Sequence, residues 1–372
     1  MKIQDPFKSI FAEIKEIKYK SFLNNDLKEI EFGKFNINTR QRYCVIDTKK
    51  GKFAISKWVS PKRTRSYPFE RVYNTLSYTK KITVIPVIKD EGEKGDRDFI
   101  QWDTISLMSL LDVYVILAYY NSADVNQRLQ GKITNQKFNN KFVKSKIEEI
   151  SNYHSSALHW NLNQIKSELS SIVDKAKEAY KNISKKNTIK LHSSIGIEKF
   201  KSSITKDIDN FMTDSRNKAK EAQNREIKTT QPKESLSTLT KAKITIKNYL
   251  GGYYYLTTDE IRIHKRNIFL FEGKHSKNEL LPSISDIKDG LLKMILYSNL
   301  SSLYLKDKLY RKIPVLSLTS NQLKGRILSS DTQKEINQFI IENQFNKKQI
   351  EFMKTLFKEA NYNKFLIEIK SV

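Results

Sequence analysis

Cysteine is almost missing from this sequence: of 372 residues, one is a cysteine, Cys44, in the apolar context RYCVID. A single thiol excludes an internal disulfide framework and any cysteine-based zinc site. It suits a reducing cytoplasm, with Cys44 expected as a small buried core residue. Glycine and proline are scarce as well, 11 and 7 in all, so the chain is neither fibrous nor dominated by linkers. The five histidines, His154, His159, His192, His264 and His275, fall in no metal-ligand spacing and read as structural or surface residues. No apolar run approaches the roughly 18 residues needed to span a bilayer. The best, VYVILAYY at 113–120, is far too short. The first twenty residues, MKIQDPFKSIFAEIKEIKYK, contain no apolar core of a secretory signal, so a cytoplasmic protein without a membrane partner is expected. No glycine-rich phosphate loop with its lysine is present, and no nucleophile elbow.

Positive charge, by contrast, is abundant. Lys and Arg number 67 against 41 Asp and Glu, a net charge of +26. A surplus of this size favours a polyanionic partner, nucleic acid before anionic membrane. The hydrophobic fraction of 38% and the aromatic fraction of 11% supply a real core and exclude wholesale disorder.

The length fits two domains, and composition divides the chain into three segments. Residues 1–122 read as an α/β region, with a helix over 7–18, strands at 42–47, 52–59 and 80–88, a turn at 90–96, and a helix leading into a strand over 105–120. Residues 123–235 read as a Lys-rich helical segment. Its apolar residues, among them Phe142, Ile147, Ile150, Leu158, Leu162, Ile165, Leu169, Ile172 and Ala176, recur at spacings of three and four. A second helical stretch runs from about 197 to 223, and a polar joint, TTQPKES, follows at 229–235. Residues 236–372 return to α/β. A strand at 243–250 precedes a hairpin over 253–274 with its turn at 264–267, a helix over 283–304 and a strand at 312–320. Two helices and a short last strand, KFLIEIKSV, complete the chain.

The chemistry is concentrated in TTDEIRIHKRNIFLFEGKHS. The arm NIFLFEGK is apolar and then abruptly charged. Side chains alternate across a strand, so Glu272 and Lys274 share a face and Gly273 points away. A carboxylate and an ammonium at the end of an apolar strand are costly to bury unless they are paired or bind a metal. Asp259 on or just after the first arm adds a second acid. Two converging acids suit a hard cation such as Mg²⁺, which prefers oxygen ligands and keeps several waters. A lysine beside them can orient or deprotonate a water and stabilise charge growing on a phosphate. Glu-x-Lys recurs at 13–15, 16–18, 226–228 and 368–370. The first two lie in a helical pattern, where residues i and i+2 do not share a face. The third adjoins a polar joint. The last is strand-like but has no Asp-bearing strand just before it.

In this order, Asp259, then Glu272-Gly273-Lys274 thirteen residues on, a helix opened by Ser283 and Asp286 in a capping-box-like start, and a further strand, the segment resembles the PD-(D/E)XK nuclease superfamily, whose largest group is the type II restriction endonucleases. Thr258 stands where that family often has proline. The resemblance covers about 236–320 in motif detail. It implies an α/β fold with a restriction-endonuclease-like core, a mixed sheet flanked by helices. It implies a Mg²⁺ ion held by Asp259, Glu272 and the Gly273 carbonyl, with Lys274 assisting a water that attacks the phosphodiester in line. Asp259 is favoured over Glu260 on the family pattern. His275, Ser276 and Lys277 become candidates for phosphate contacts or for solvated turn residues. The partners implied are double-stranded DNA with a short recognition site, a cognate methyltransferase, and a second copy of the chain in a homodimer.

The stretch SKWVSPKRTRSYPFERVYNT interleaves Lys57, Lys62, Arg63, Arg65 and Arg71 with Trp58, Tyr67 and Tyr73. Arginine suits bidentate contact with guanine edges and phosphates, and aromatics stack on bases. The stretch is a candidate DNA-recognition element or a surface loop with core aromatics. Two other functions compete with restriction. One is a nuclease of the same fold in repair, mobile-element defence or RNA cutting. The other is a non-catalytic nucleic-acid-binding protein.

Overall fold

The computed structural model describes residues 8–24, 26–62, 68–206, 241–248 and 253–372, with the single positions 213, 215, 217 and 221. The expected joint at 229–235 lies outside the described residues, as do Arg63, Arg65 and Tyr67. The described residues are mixed α/β. No helix among them is long and apolar enough to cross a membrane.

The first element is a strand, β1 (Lys8–Ile14), where a helix over 7–18 was expected. Ile10, Ala12 and Ile14 are buried and Phe11 and Glu13 are not, a period of two rather than 3.6. Its partners lie more than 200 residues further along the chain, so the choice of strand is made by distant pairing. This pairing also sets the domain organisation. The chain forms two compact units, Met1–Asn24 with Lys218–Val372, and Asn25–Asn217, which cut across the expected divisions at 122 and 235.

The unit Asn25–Asn217 contains β2 (Glu29–Glu31), β3 (Tyr43–Thr48), β4 (Gly51–Lys57), α1 (Pro68–Tyr73), β5 (Lys81–Pro86), β6 (Ile88–Asp90), β7 (Arg97–Phe99), α2 (Trp102–Leu110) and β8 (Tyr114–Ala118). Its sheet runs β2-β3-β4-β5-β8, with β3 and β4 antiparallel and the other pairs parallel. β5 and β8 are buried at every position, as parallel strands covered on both faces are. Cys44 is buried on β3, and burial pushes its thiol up to about 11. The helical segment begins later than expected. Residues 120–138 form a hairpin, β9 (Tyr120–Val125) and β10 (Ile133–Phe138), closed by a turn in which Gly131 has a φ of +77°. The helices proper are α3 (Asn140–Ser151), α4 (Ala157–Asn163), α5 (Leu169–Asn187) and α6 (Ile195–Lys206). Asn139 caps α3 and Ser156 caps α4, each accepting a main-chain N–H three residues on.

The other unit contains β11 (Ala242–Asn248), β12 (Tyr253–Thr258), β13 (Glu260–His264), β14 (Asn267–Ser276), α7 (Ile284–Ser298), β15 (Ser301–Leu305), β16 (Lys308–Ser320), β17 (Arg326–Leu328), α8 (Gln333–Glu342), α9 (Lys347–Asn363) and β18 (Leu366–Ser371). Among the described residues its strands form one sheet in the order β12-β11-β1-β15-β16-β14-β13. β18 pairs with the second half of β16, and β17 pairs with β18. β14, β16 and β18 run parallel. Two expectations change here. The hairpin over 253–274 is instead β13 with β14, because β12 pairs with β11. The helix over 283–304 ends at Ser298, and residues 301–305 form β15, whose Leu303 and Leu305 are buried alternately.

One topological fact places the site. β12 and β13 end the strand path on opposite sides, yet Asp259 alone separates them in sequence. Consecutive Cα atoms are about 3.8 Å apart, so the sheet curls until its two edges meet. Asp259 sits at that seam. Buried Tyr297 on α7 donates to the Thr257 carbonyl at 3.2 Å and ties the seam to the helix.

Candidate active site

β14 builds the site by alternation. Ile268 and Leu270 are fully buried under α7, and the next residues on that face are Glu272 and Lys274. Glu272 is 2% exposed. Its Oε1 lies 3.1 Å from Lys274 Nζ and its Oε2 2.7 Å from Lys293 Nζ. Lys274 also reaches Asp289 Oδ2 at 3.1 Å. Asp289 and Lys293 stand one turn apart on α7, so the helix presents an acid and a base to the two residues of the strand.

Asp259 joins them from the seam. Its N–H donates to the Phe271 carbonyl at 3.2 Å, and its Oδ2 accepts the Gly273 N–H at 2.8 Å. The main-chain groups of one strand residue leave on the same side, so the Gly273 carbonyl also faces the seam. Neighbouring Glu260 points elsewhere. It pairs in register with Phe271, on the face opposite Glu272, and binds the Arg262 guanidinium, which lies 4.5 Å from the Phe271 ring centre. The seam therefore brings Asp259, not Glu260, to Glu272.

The charges act on one another. Burial and the neighbouring Glu272 carboxylate push the Asp259 carboxyl up to about 7. Burial alone would raise Glu272, but the Lys293 and Lys274 ammoniums outweigh it and hold the group below its ordinary range. Burial opposes the charge on Lys274, yet Glu272 and Asp289 hold it well above the ordinary lysine range. Burial raises Asp289 against the pull of Lys274.

Close packing of α7 on the sheet is part of this geometry. A Cβ on Gly290 would stand 2.7 Å from Leu316 Cδ1 and 3.2 Å from Lys274 Cε. Alanine in a helix interior is worth about 0.5–1 kcal/mol over glycine, and here the clash opposes that gain. Gly290→Ala is expected to change thermal stability little while displacing the Lys274 stem. Any reaction that depends on Lys274 then slows at least about tenfold, since misplacement by 1 Å costs up to about 10². Melting and rate measurements on one preparation check this.

Glu368 and Lys370, the other strand-borne Glu-x-Lys, lie on the opposite face. Gly273, Ser317 and Glu368 stand in one row across β14, β16 and β18. Glu368 accepts from Arg326 at 2.7 Å and from Ser317 at 2.8 Å, and Lys370 lies at 3.0 Å. Both carboxylate oxygens are thus engaged within a structural cluster. Glu368→Ala is expected to cost about 3 kcal/mol, the scale for breaking a buried ion pair, and to leave the chemistry of the Glu272 face intact. Denaturant melts and activity per folded molecule check the two halves.

The remaining site candidates are scattered. His275 faces the Glu368 side and its Nδ1 lies 3.0 Å from Thr319 Oγ1. Ser276 Oγ accepts the Glu279 N–H at 3.0 Å, and Lys277 is exposed. In the other unit Lys57 turns inward to the Ile37 and Thr39 carbonyls, and burial with Arg71 nearby lowers it to about 8. Arg71 is 3% exposed and donates to the Lys57 carbonyl at 2.7 Å; burial lowers it to about 10. Trp58 and Tyr73 are core residues. Lys62 lies 2.5 Å from Asp98. Lys57 and Arg71 are thus engaged with main-chain carbonyls of their own unit, while Lys62 and Lys277 keep surface exposure.

Compared with protein families, with characterised proteins and with solved structures, the chain matches none. Among the described residues no group of three or more His, Cys, Asp or Glu side chains is arranged to hold a metal ion. The donor set at the seam is two carboxylates and one main-chain carbonyl. Those are hard oxygen donors, and Mg²⁺ binds through one or two carboxylates with waters completing its shell. A half-buried carboxyl at Asp259, pushed towards protonation by desolvation and by its neighbour's charge, also fits a place for a cation. Lys293 and Asp289 were not among the sequence candidates. Their signal is faint: a glycine inside a helical pattern, flanked by a charged pair at i and i+4.

Proposed function

We propose that this protein is a Mg²⁺-dependent endodeoxyribonuclease of the PD-(D/E)XK kind, a type II restriction endonuclease, with its site at the seam. The observation that carries the reading is the meeting of Asp259, Glu272 and Lys274 at one end of a strand. A capped helix behind that strand leads through the short β15 to β16, which runs parallel to it. Asp259, Glu272 and the Gly273 carbonyl would hold the ion. When bound, Mg²⁺ would draw negative charge off the scissile phosphate and acidify a water for attack.

The residues of the chain do the rest. Glu272 keeps Lys274 at the site, and Asp289 holds the same ammonium from the helix side. Lys274 offers positive charge and hydrogen-bond donors to a phosphate oxygen as charge grows there, a contribution of about 3–4 kcal/mol where such donors are preorganised. The apolar strand below and α7 above keep bulk water from one side. The net charge of +26 draws duplex DNA to the protein. Cutting both strands calls for two copies, so a homodimer is the expected assembly, with a methyltransferase of matching specificity protecting host DNA in the cytoplasm.

Incubation of plasmid DNA with the purified protein tests this. Discrete fragments with Mg²⁺ and none with EDTA are the expected result. A smear points to a nuclease without site specificity, and uncut plasmid contradicts the nuclease reading.

A further inference from the structure

The seam holds two carboxylates, and α7 brings the ammonium of Lys293 to one of them. Its Nζ is 2.7 Å from Glu272 Oε2. Lys274 is held from two sides, by Glu272 and by Asp289. Lys293 therefore holds a carboxylate that a divalent ion would need, and Glu272 has no oxygen left unengaged. An incoming cation must take Oε2 from Lys293 or share it at close range, and two cations on one carboxylate oxygen repel.

We propose that Lys293 is a stand-in cation: it occupies the Glu272 carboxylate while the metal is absent, and metal binding releases its ammonium towards the substrate phosphate. The inference rests on the metal-site reading above. It assigns Lys293 a positioning role in the empty site and a phosphate-contacting role in the loaded one. Asp289 remains with Lys274 throughout. A long, flexible side chain on a helix suits such an exchange, because the four-carbon stem swings without moving the backbone.

Release of Lys293 costs part of the metal's binding free energy, so removing the lysine must tighten the metal. The test is calorimetric titration of Mg²⁺ into the full-length protein without DNA, for the parent, Lys293→Met and Asp259→Asn. Lys293→Met is expected to bind Mg²⁺ about tenfold more tightly, a change of about 1.4 kcal/mol. Its melting temperature should fall in EDTA and recover with Mg²⁺. Unchanged or weaker binding overturns the inference. Binding equal in the parent and Asp259→Asn means that the ion sits elsewhere, and the metal-site reading fails with it. A second measurement uses the parent alone, so it survives a variant that does not fold. Acetylation of Lys293 by acetic anhydride, read by mass spectrometry, should rise several-fold on adding Mg²⁺, in line with an ammonium leaving its carboxylate. A fall or no change contradicts release.

Discussion

Glu272→Gln is expected to lower Mg²⁺-dependent cutting by about 10³-fold or more and to leave the protein folded. The glutamine keeps the volume and one acceptor, but it carries no charge to hold either ammonium or a metal. Removing one preorganised electrostatic partner costs about 10²–10³ in turnover, and Glu272 holds Lys274 and Lys293 and, in the proposed site, the ion as well. Glu272→Ala should do more harm to the fold. It leaves two partly buried ammoniums without their carboxylate, a loss on the scale of about 3–5 kcal/mol. The two variants separate chemistry from stability when rates are measured per folded molecule. Lys274→Ala completes the set: on the proposed reading DNA binding should persist and cutting should fall by about 10²-fold or more.

The second large effect expected of the proposed site is a competition between protons and metal at Asp259. Its carboxyl stands at about 7 in the folded protein against an ordinary value of 3.8. The folded chain therefore holds a proton that the unfolded chain has released. Stability from this group is fully present below pH about 4 and is lost as pH rises through about 7. The whole span is worth up to about 4 kcal/mol at 1.36 kcal/mol per pH unit. In EDTA the melting temperature should fall between pH 5 and pH 8. Mg²⁺ needs the ionised carboxylate, so its stabilising effect should be small at pH 5.5 and large at pH 8, with protons released on binding. Asp259→Asn should flatten both trends. Thermal melts across pH, with and without Mg²⁺, provide the check.

The strand that carries Glu272 and Lys274 was legible because its signals are local. The apolar run, the alternation of faces and the Ser283 cap all lie within a few residues of one another. The last two helices and the final strand were legible for the same reason; the capping boxes at Thr332 and Asn346 lie in the sequence itself. What depends on distant partners was not. IFAEIKEIK satisfies both a helical and a strand period, and β11 and β15 decide between them. Asp259 and Glu260 are adjacent and chemically alike; which one meets Glu272 is decided by a seam between two sheet edges. Asp289 and Lys293 belong to the site through the packing of α7, and a chain so rich in lysine offers no compositional hint of that. The basic stretch at 56–75 shows the converse. Its spacing suggests an outward-facing surface, but Lys57 and Arg71 turn inward because the carbonyls they bind lie there.

The most direct test of the seam is a paired comparison of Asp259→Asn and Glu260→Gln on duplex DNA with Mg²⁺. Each removes one carboxylate charge, from side chains one residue apart. If the site is where the geometry puts it, Asp259→Asn loses cutting by about 10²-fold or more, and Glu260→Gln cuts within about threefold of the parent. Equal loss in the two variants, or loss in Glu260→Gln alone, contradicts the assignment.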